Sequence, residues 1–152
     1  MSEDIRPPKV LPPHYLAMAV VLMIASLWVP VNSLIKYPWP WVGVIFVFLG
    51  LAIAGWAAWQ FSRAKTNIIP LSHSDALVVS GVYIFTRNPM YFGMMSLLVG
   101  VALLVNNWLA WLVLPIFFLI IRYGFIAREE VLMLRTFGDD YSNYCQQVRR
   151  WC

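Results

Sequence analysis

Residues Asn88–Ile121 read NPMYFGMMSLLVGVALLVNNWLAWLVLPIFFLII, a stretch of 34 residues without a charged side chain. As one helix it would extend roughly 50 Å, well beyond the hydrocarbon core of a bilayer, which is about 30 Å thick. Asn106-Asn107 is the only polar pair within it and divides it into two apolar segments. The sequence therefore predicts a hairpin of two short membrane helices that reverses direction at these asparagines.

Two more uncharged runs precede this hairpin. Tyr15–Leu34 and Trp41–Phe61 would each span roughly 30 Å as a helix. The chain is 61% hydrophobic and 12% charged, whereas soluble domains contain about 25% charged residues. Pro30 and Pro115 fall inside predicted spans, where neighbouring helices can satisfy the freed backbone groups. We predict a single all-α integral membrane domain over residues 1–152, with about four transmembrane helices and an irregular cytoplasmic lead over residues 1–13.

Residues 15–61 contain the two N-terminal spans, and the second of these, Trp41–Phe61, contains three glycines. Gly43, Gly50 and Gly55 lie within it. In membrane helices such small residues allow two backbones to approach closely. We expect all three to lie at a helix–helix contact.

Basic residues are divided unequally between the two sides of the predicted bundle. With four spans, both termini and the Ser62–Arg87 loop share one side, and every lysine and arginine except Lys36 lies there. Because cytoplasmic segments are enriched in Lys and Arg, we expect both termini to be cytoplasmic. The net charge of +4 then reflects orientation in the membrane, and we expect no nucleic-acid partner.

Two adjacent carboxylates, Glu129 and Glu130, follow the last predicted span. A carboxylate on a helix surface usually has a basic partner three or four residues away, but every residue at those spacings here is apolar. Unpaired burial of carboxylates at a membrane edge is costly. Two interpretations remain open. The glutamates reach solvent or pair with Arg87, Arg122 or Arg128 from other elements, or at least one of them holds a cationic ligand.

The segment Gly81–Gly93, GVYIFTRNPMYFG, has the opposite polarity. Asn88 is expected to be the N-cap of a helix and Pro89 its first residue. Orientation and capping alone would explain Arg87 and Asn88, but a guanidinium beside a helix N-terminus also suits an anion. A ligand with both an anionic and a cationic group would use this turn together with the glutamates.

The C-terminal region predicts a helix break followed by an amphipathic helix. Gly138 is expected to end one helix, and Asp139 or Asp140 can cap the next. Four apolar residues of that last helix share one face, which predicts an interfacial helix lying on the lipid surface. They are Tyr141, Tyr144, Val148 and Trp151.

Few other residues could carry chemistry. His73 is a possible proton acceptor, although a lone loop histidine is more often incidental. Cys145 and Cys152 are the only cysteines, and on the cytoplasmic side we expect no disulfide between them. No metal-ligand cluster and no G-x-G-x-x-G or P-loop motif occurs in the sequence, so we expect no bound metal.

Two motifs together carry a family resemblance: LVVSGVYIFTRNPMYFG (Leu77–Gly93) and REEVLMLRTFGDDYSNYCQQVRRW (Arg128–Trp151). In this order they resemble the isoprenylcysteine carboxyl methyltransferase family, which is related to the phospholipid methyltransferases. Thr66 and Pro70 fit its bacterial members, so a bacterial inner membrane is the expected location. The resemblance covers residues 65–151, which we therefore expect to form a cofactor-binding core.

The resemblance implies S-adenosylmethionine as methyl donor, with S-adenosylhomocysteine as product, and no metal. It places seven residues at the cofactor: Arg87, Asn88, Pro89, Tyr91, Gly93, Glu129 and Glu130. Tyr83, which flanks the turn together with Tyr91, is the eighth candidate for cofactor binding. Arg87, Glu129 and Glu130 are also the candidates for a catalytic role. Many eukaryotic members have histidine where this chain has Asn88, so a role that needs an imidazole is not expected at that position.

These observations predict a membrane methyltransferase that acts on a lipophilic, lipid-like acceptor at the cytoplasmic face. A carboxylate or thiolate acceptor needs no base, which favours it over an amine, since His73 is the only obvious base. Methyl transfer depends mainly on proximity and alignment. The alternatives are an NADPH-dependent reductase related to the membrane sterol reductases, and a non-catalytic membrane subunit.

Overall fold

The structure, a computed structural model, describes residues 9–64, 69–71 and 76–151 and contains five α-helices. They are α1 (Pro12–Ala25), α2 (Val42–Arg63), α3 (Pro89–Val105), α4 (Trp108–Ile121) and α5 (Ala127–Gln147). Short 3₁₀ turns cover Ser26–Trp28, Trp39–Trp41 and Gly81–Ile84, and the π-helical segment Arg122–Ile126 joins α4 to α5. The described residues form no strand beyond an isolated bridge between Ser33 and Asn107. The prediction of an all-α fold is confirmed.

The predicted hairpin reverses at the two asparagines. Asn106 adopts the left-handed conformation that ends α3 (φ 56°). Asn107 caps α4 because its Oδ1 accepts a hydrogen bond from the N–H of Ala110 at 2.9 Å. The Asn107 Nδ2 also donates to the Ser26 hydroxyl at 2.9 Å, which ties this end of the bundle to α1. The predicted position of the turn is therefore confirmed.

Two continuous helical stretches are long and apolar enough to cross a membrane: Trp39–Arg63, which contains α2, and Trp108–Gln147, which runs from the apolar α4 through the π-helical segment into α5. Their outer faces are apolar, since Phe48 is 68% exposed and Ile116 is 58% exposed. Exposure of such large apolar side chains to water is unfavourable, and a lipid environment avoids it. These helices support a membrane location, while Pro12–Trp28 and Pro89–Val105 are shorter apolar helices.

The first predicted span is wrong in its extent. Its helical part ends at Trp28, before the predicted end at Leu34. Pro30 therefore lies beyond the helix, where its missing N–H breaks no helical hydrogen bond. Pro115 lies inside α4, as predicted.

Glycines bring α2 and α3 into backbone contact. A Cβ added at Gly43 would lie 2.4 Å from the carbonyl oxygen of Gly100, and one at Gly50 would lie 2.5 Å from that of Gly93. The predicted role of Gly43 and Gly50 in close helix packing is therefore confirmed. The prediction for Gly55 is wrong, because no described atom lies within 4 Å of the Cβ it would carry.

The last part of α5 packs on the protein rather than on lipid. The chain breaks from helical geometry at Gly138 (φ 51°, ψ −120°), as the sequence predicted. Beyond the break, Tyr141 and Tyr144 are buried in a cluster with Ala57, Val82 and Tyr83. The prediction of an interfacial helix is wrong for this face, because the turn before α3 covers it. Val148 and Trp151, the other two residues of the predicted face, lie after the end of α5 at Gln147 and are not part of the helix.

We expect Gly100→Ala to destabilise the fold. Its Cβ would lie 2.5 Å from the Gly43 carbonyl oxygen and 2.7 Å from the Val47 backbone nitrogen, so α2 and α3 would have to separate. Overpacking of this kind costs about 1–3 kcal/mol. Thermal unfolding of the purified protein in detergent measures the effect.

Gly55→Ala is the matched control for this measurement. The site is open, and alanine favours a helix over glycine by about 1 kcal/mol, so the melting temperature should stay the same or rise. Equal melting temperatures for both variants would contradict the proposed importance of the α2–α3 contact.

Candidate functional site

One cavity of about 400 Å³ contains most of the residues predicted for the site. It lies where α3 and α5 begin, beside the Gly81–Ile84 turn and the last turns of α2. Seven of the eight predicted residues line it: Tyr83, Arg87, Asn88, Pro89, Tyr91, Glu129 and Glu130. The rest of the wall is largely apolar and includes Phe61, Met94 and Met133. The eighth residue, Gly93, is not among the lining residues and packs against Gly50 of α2.

Glu130 is paired with two arginines from distant parts of the chain. Its Oε1 lies 3.2 Å from Nη1 of Arg87, just before α3. Its two carboxylate oxygens also accept from Nε and Nη2 of Arg150, at 2.8 and 2.5 Å. The interpretation that the glutamates pair with other elements is therefore correct for Glu130, with Arg150 as an additional partner that the sequence reasoning missed.

Among residues 9–64, 69–71 and 76–151, Glu129 forms no ion pair, and its Oε1 accepts one hydrogen bond, from the Tyr91 hydroxyl at 2.9 Å. Burial raises the pKa of the Glu129 carboxyl to about 7, the Tyr91 hydrogen bond lowers it, and the negative charge of Glu130 raises it. A cation placed beside Glu129 would favour its ionised form. Glu129 is thus the carboxylate of the pair that is available to a ligand.

Arg87 and Tyr83 carry unused hydrogen-bonding groups at the cavity. Nη1 of Arg87 contacts Glu130 and also the Cys145 sulfur, at 2.6 Å. Arg87 Nε and the Tyr83 hydroxyl are both buried and lack hydrogen-bond partners among residues 9–64, 69–71 and 76–151. Buried polar groups without partners are rare in proteins, so these two atoms are candidates for ligand contact.

Asn88 occupies the N-cap position of α3, but its side chain does not cap the helix. Its Nδ2 donates to the carbonyl oxygen of Arg150 at 3.1 Å. The predicted capping bond is therefore wrong, because the C-terminal segment binds the side chain instead. No side chain of the described residues caps α3, so the N–H groups of its first turn have no side-chain acceptor. Together with the nearby Arg87, such N–H groups are able to bind an anion.

Local backbone features aim these residues at the cavity. Pro89 is the first residue of α3, where its fixed φ suits the helix and its missing N–H leaves no donor unused. The π-helical segment before α5 buries Phe125 and Ile126 and changes the helical register ahead of Glu129. No residue pattern in the sequence predicted this π segment.

The sequence reasoning also missed two contacts of the C-terminal region. The Tyr144 hydroxyl donates to the Tyr83 carbonyl at 2.6 Å, and the Arg150 carbonyl accepts from Asn88. Tyr144 and Arg150 both belong to the second motif. The sequence analysis had assigned Tyr144 to a lipid-facing helix surface and Arg150 to the basic cytoplasmic side, so neither was expected to contact the turn before α3. His73, Thr66 and Cys152 lie outside the described residues.

Comparison with known proteins identifies the family. A family model described as phospholipid methyltransferase matches residues 39–140. The chain belongs to the phospholipid methyltransferase family. The matched range contains the cavity residues from α2, α3 and the start of α5, and it ends before the C-terminal segment that contacts Asn88.

Individual relatives agree with this assignment. Over 62 residues the chain is 45% identical to an uncharacterized protein of Haemophilus influenzae, covering 41% of this chain and 98% of that protein. It is 28% identical to the probable protein-S-isoprenylcysteine O-methyltransferase of Oryza sativa subsp. indica, covering 71% of this chain and 58% of the relative. It is also 28% identical to protein-S-isoprenylcysteine O-methyltransferase A of Arabidopsis thaliana, covering 89% of this chain and 71% of the relative.

The chain spans 58% of the rice protein's length and 44% of the length of its Schizosaccharomyces pombe relative, a protein-S-isoprenylcysteine O-methyltransferase. No solved structure matches the chain. The resemblance inferred from the two motifs is confirmed by the family model and by these relatives.

The raised pKa of Glu129 predicts a pH-dependent stability for this phospholipid methyltransferase family member. The neutral carboxyl is favoured in the folded state, so its contribution is full below the ordinary pKa of 4.5 and is lost as the pH rises through about 7. The melting temperature of the wild type relative to Glu129→Gln should fall between about pH 5 and 7 and level off above. Tyr83, Tyr91 and Glu130 surround the group and are unchanged in both proteins.

Asp140→Asn is the control for removal of one carboxylate, since Asp140 is an exposed residue of the same helix. Its melting temperature relative to the wild type should not follow the profile of Glu129→Gln. A flat difference between the wild type and Glu129→Gln over this pH range would contradict the assignment of the raised pKa to Glu129.

Proposed function

We propose that the protein is an integral membrane methyltransferase that uses S-adenosylmethionine and methylates a lipophilic acceptor at the cytoplasmic face. One observation carries the proposal. A single, largely apolar cavity brings a guanidinium with a buried, partnerless Nε to the same site as a carboxylate that has no ion pair within the described chain. A compact ligand with both an anionic and a cationic group fits this arrangement.

The donor set fits the chemistry of the implied cofactor. When bound, S-adenosylmethionine supplies an activated methyl group on a sulfonium centre. Arg87 and the uncapped first turn of α3 would hold its carboxylate, and Glu129 would hold its ammonium. The cavity volume of about 400 Å³ lies within the range of small-molecule sites, roughly 300–1,000 Å³.

The acceptor preference follows from the assignment of Glu129. A carboxyl with a pKa of about 7 could accept a proton from an ammonium acceptor. Glu129 cannot do so while it holds the cofactor ammonium, and Glu130 is paired with two arginines. An acceptor that reacts without losing a proton, a carboxylate or a thiolate, therefore remains favoured over an amine. The names of the plant and yeast relatives support this class.

The membrane arrangement is part of the same proposal. We place both termini and the cavity at the cytoplasmic side of a bacterial inner membrane, with four spans and one domain over residues 1–152. The distribution of lysine and arginine supports the orientation, and the Haemophilus influenzae relative supports a bacterial membrane. Apolar wall residues such as Phe61 and Met94 suit a lipid-like acceptor that enters from the bilayer.

We expect Arg87→Gln and Glu129→Gln each to weaken binding of S-adenosylhomocysteine by about tenfold or more, because each removes a charge-assisted hydrogen bond. Calorimetry on detergent-purified protein measures the affinity. The control is Arg135→Gln, which removes an exposed arginine of α5 that does not line the cavity. The absence of binding by the wild type would overturn the proposal, and binding of NADPH instead would favour the reductase.

We also expect labelled methyl groups to be transferred to a membrane-extractable acid or thiol. Purified protein is incubated with membrane extract and isotopically labelled methyl donor, and mass spectrometry then identifies the labelled products. Glu129→Gln should lose the label, while Arg135→Gln should keep it. A labelled amine would contradict the acceptor class, and no labelled product with a cofactor-binding protein would favour a non-catalytic subunit.

A further inference from the structure

The C-terminal residues Val148–Trp151, here called the strap, lie against the Arg87-Asn88 turn. We propose that Arg150 in this strap is a positioning residue that holds Arg87 and Asn88 in the geometry needed to bind the cofactor carboxylate. The inference rests on the proposed function. The inference goes beyond the proposed function because it assigns a role to Arg150, which lies outside the range matched by the family model.

Three hydrogen bonds join the backbone of the strap to the turn. The Arg87 N–H donates to the carbonyl oxygen of Arg149 at 3.0 Å. The carbonyl oxygen of Arg150 accepts from the Thr86 hydroxyl at 3.0 Å and from Asn88 Nδ2 at 3.1 Å. Three consecutive residues of the turn are thus held by two consecutive carbonyls of the strap.

The Arg150 side chain adds a charged contact to the same assembly. Its guanidinium binds both oxygens of Glu130, and Glu130 Oε1 also lies 3.2 Å from Arg87 Nη1. A bidentate pair fixes the carboxylate plane as well as its distance. Loss of Arg150 would leave Glu130 with Arg87 alone, so the carboxylate could rotate and draw the Arg87 guanidinium away from a ligand.

Release of the strap would also change the hydrogen bonding of the Asn88 side chain. Without the Arg150 carbonyl, the Asn88 side chain loses its acceptor and can take up the ordinary capping bond to the first turn of α3. The capping oxygen would then occupy N–H groups that the cofactor carboxylate is proposed to use. Strap docking thus keeps the helix N-terminus open to a ligand.

Contacts on both sides hold the strap in place. The Trp151 ring packs on Phe118 with ring centroids 5.4 Å apart. Before the strap, Tyr144 is buried and donates to the Tyr83 carbonyl. Because these anchors do not involve Arg150, a change at Arg150 should loosen the turn without detaching the whole segment.

Three measurements on full-length protein in detergent test the role of Arg150. We expect Arg150→Met to weaken S-adenosylhomocysteine binding by about tenfold or more and to accelerate hydrogen exchange at the Arg87 amide in the ligand-free protein. The KM for S-adenosylmethionine should rise, with kcat at saturation within about threefold, as for an interaction used equally in the ground and transition states. Arg150→Lys keeps the positive charge but cannot form the bidentate contact with Glu130, so its affinity, exchange rate and KM should be intermediate.

Arg149→Met is the matched control, because it removes an adjacent arginine whose side chain is exposed and leaves the backbone carbonyl in place. It should match the wild type in all three measurements. If Arg150→Met does not fold, Thr86→Val tests the docking of the strap, because it deletes the bond to the Arg150 carbonyl and the bond from the Asn88 N–H and preserves the ion pairs. It should weaken S-adenosylhomocysteine binding and accelerate exchange at the Arg87 amide, and wild-type values of both would overturn the role of the docked strap.

The outcomes separate this inference from the proposed function. Wild-type affinity, exchange and KM in Arg150→Met would overturn the positioning role while the proposed function stands. A fall in kcat with unchanged KM would also overturn it. If the wild type binds no cofactor, the proposed function fails, and the Arg87 amide still reports whether Arg150 orders the turn.

Discussion

The structure of the site depends on the pairing of Glu130 with Arg87 and Arg150. A largely buried carboxylate is stable only when its charge is compensated, and here the Glu130 carboxylate, 17% exposed, is shared by two guanidiniums. This requirement joins Arg87 in the turn before α3, Glu130 in the first turn of α5 and Arg150 after the end of α5. Removal of Glu130 would leave two neighbouring guanidiniums without a counter-charge, so the Glu130 carboxylate holds the three segments together in addition to their hydrogen bonds.

The pairing of Glu130 also gives the two adjacent glutamates different chemistry. Glu130 is occupied by arginines, whereas Glu129 faces Tyr91 and an apolar wall, where burial raises its pKa to about 7. Glu129 is therefore the carboxylate whose ionised form a cationic ligand would stabilise. The proposed binding of a zwitterionic ligand rests on this division between the two glutamates.

The packing of α2 against α3 supports this arrangement. Backbone contact between α2 and α3 at the glycine pairs Gly43–Gly100 and Gly50–Gly93 fixes the position of α3. The asparagine turn then returns the chain as α4, so that α5 emerges beside the start of α3. Because Gly93 serves this contact, its presence in the motif has a packing explanation, and the neighbouring Arg87, Asn88 and Tyr91 face the cavity.

The helical class, the Asn106-Asn107 reversal and seven of the residues that line the cavity could be predicted from the sequence. Uncharged runs and turn residues act locally, and the paired motifs identified the family, so these features needed no long-range information. The tertiary structure alone decided that Asn88 binds the strap, that Arg150 pairs with Glu130, and that Tyr141 and Tyr144 face the protein. Periodicity shows that a face is apolar but not what covers it, and an ion pair between distant residues leaves no local pattern, because only folding brings its partners within reach.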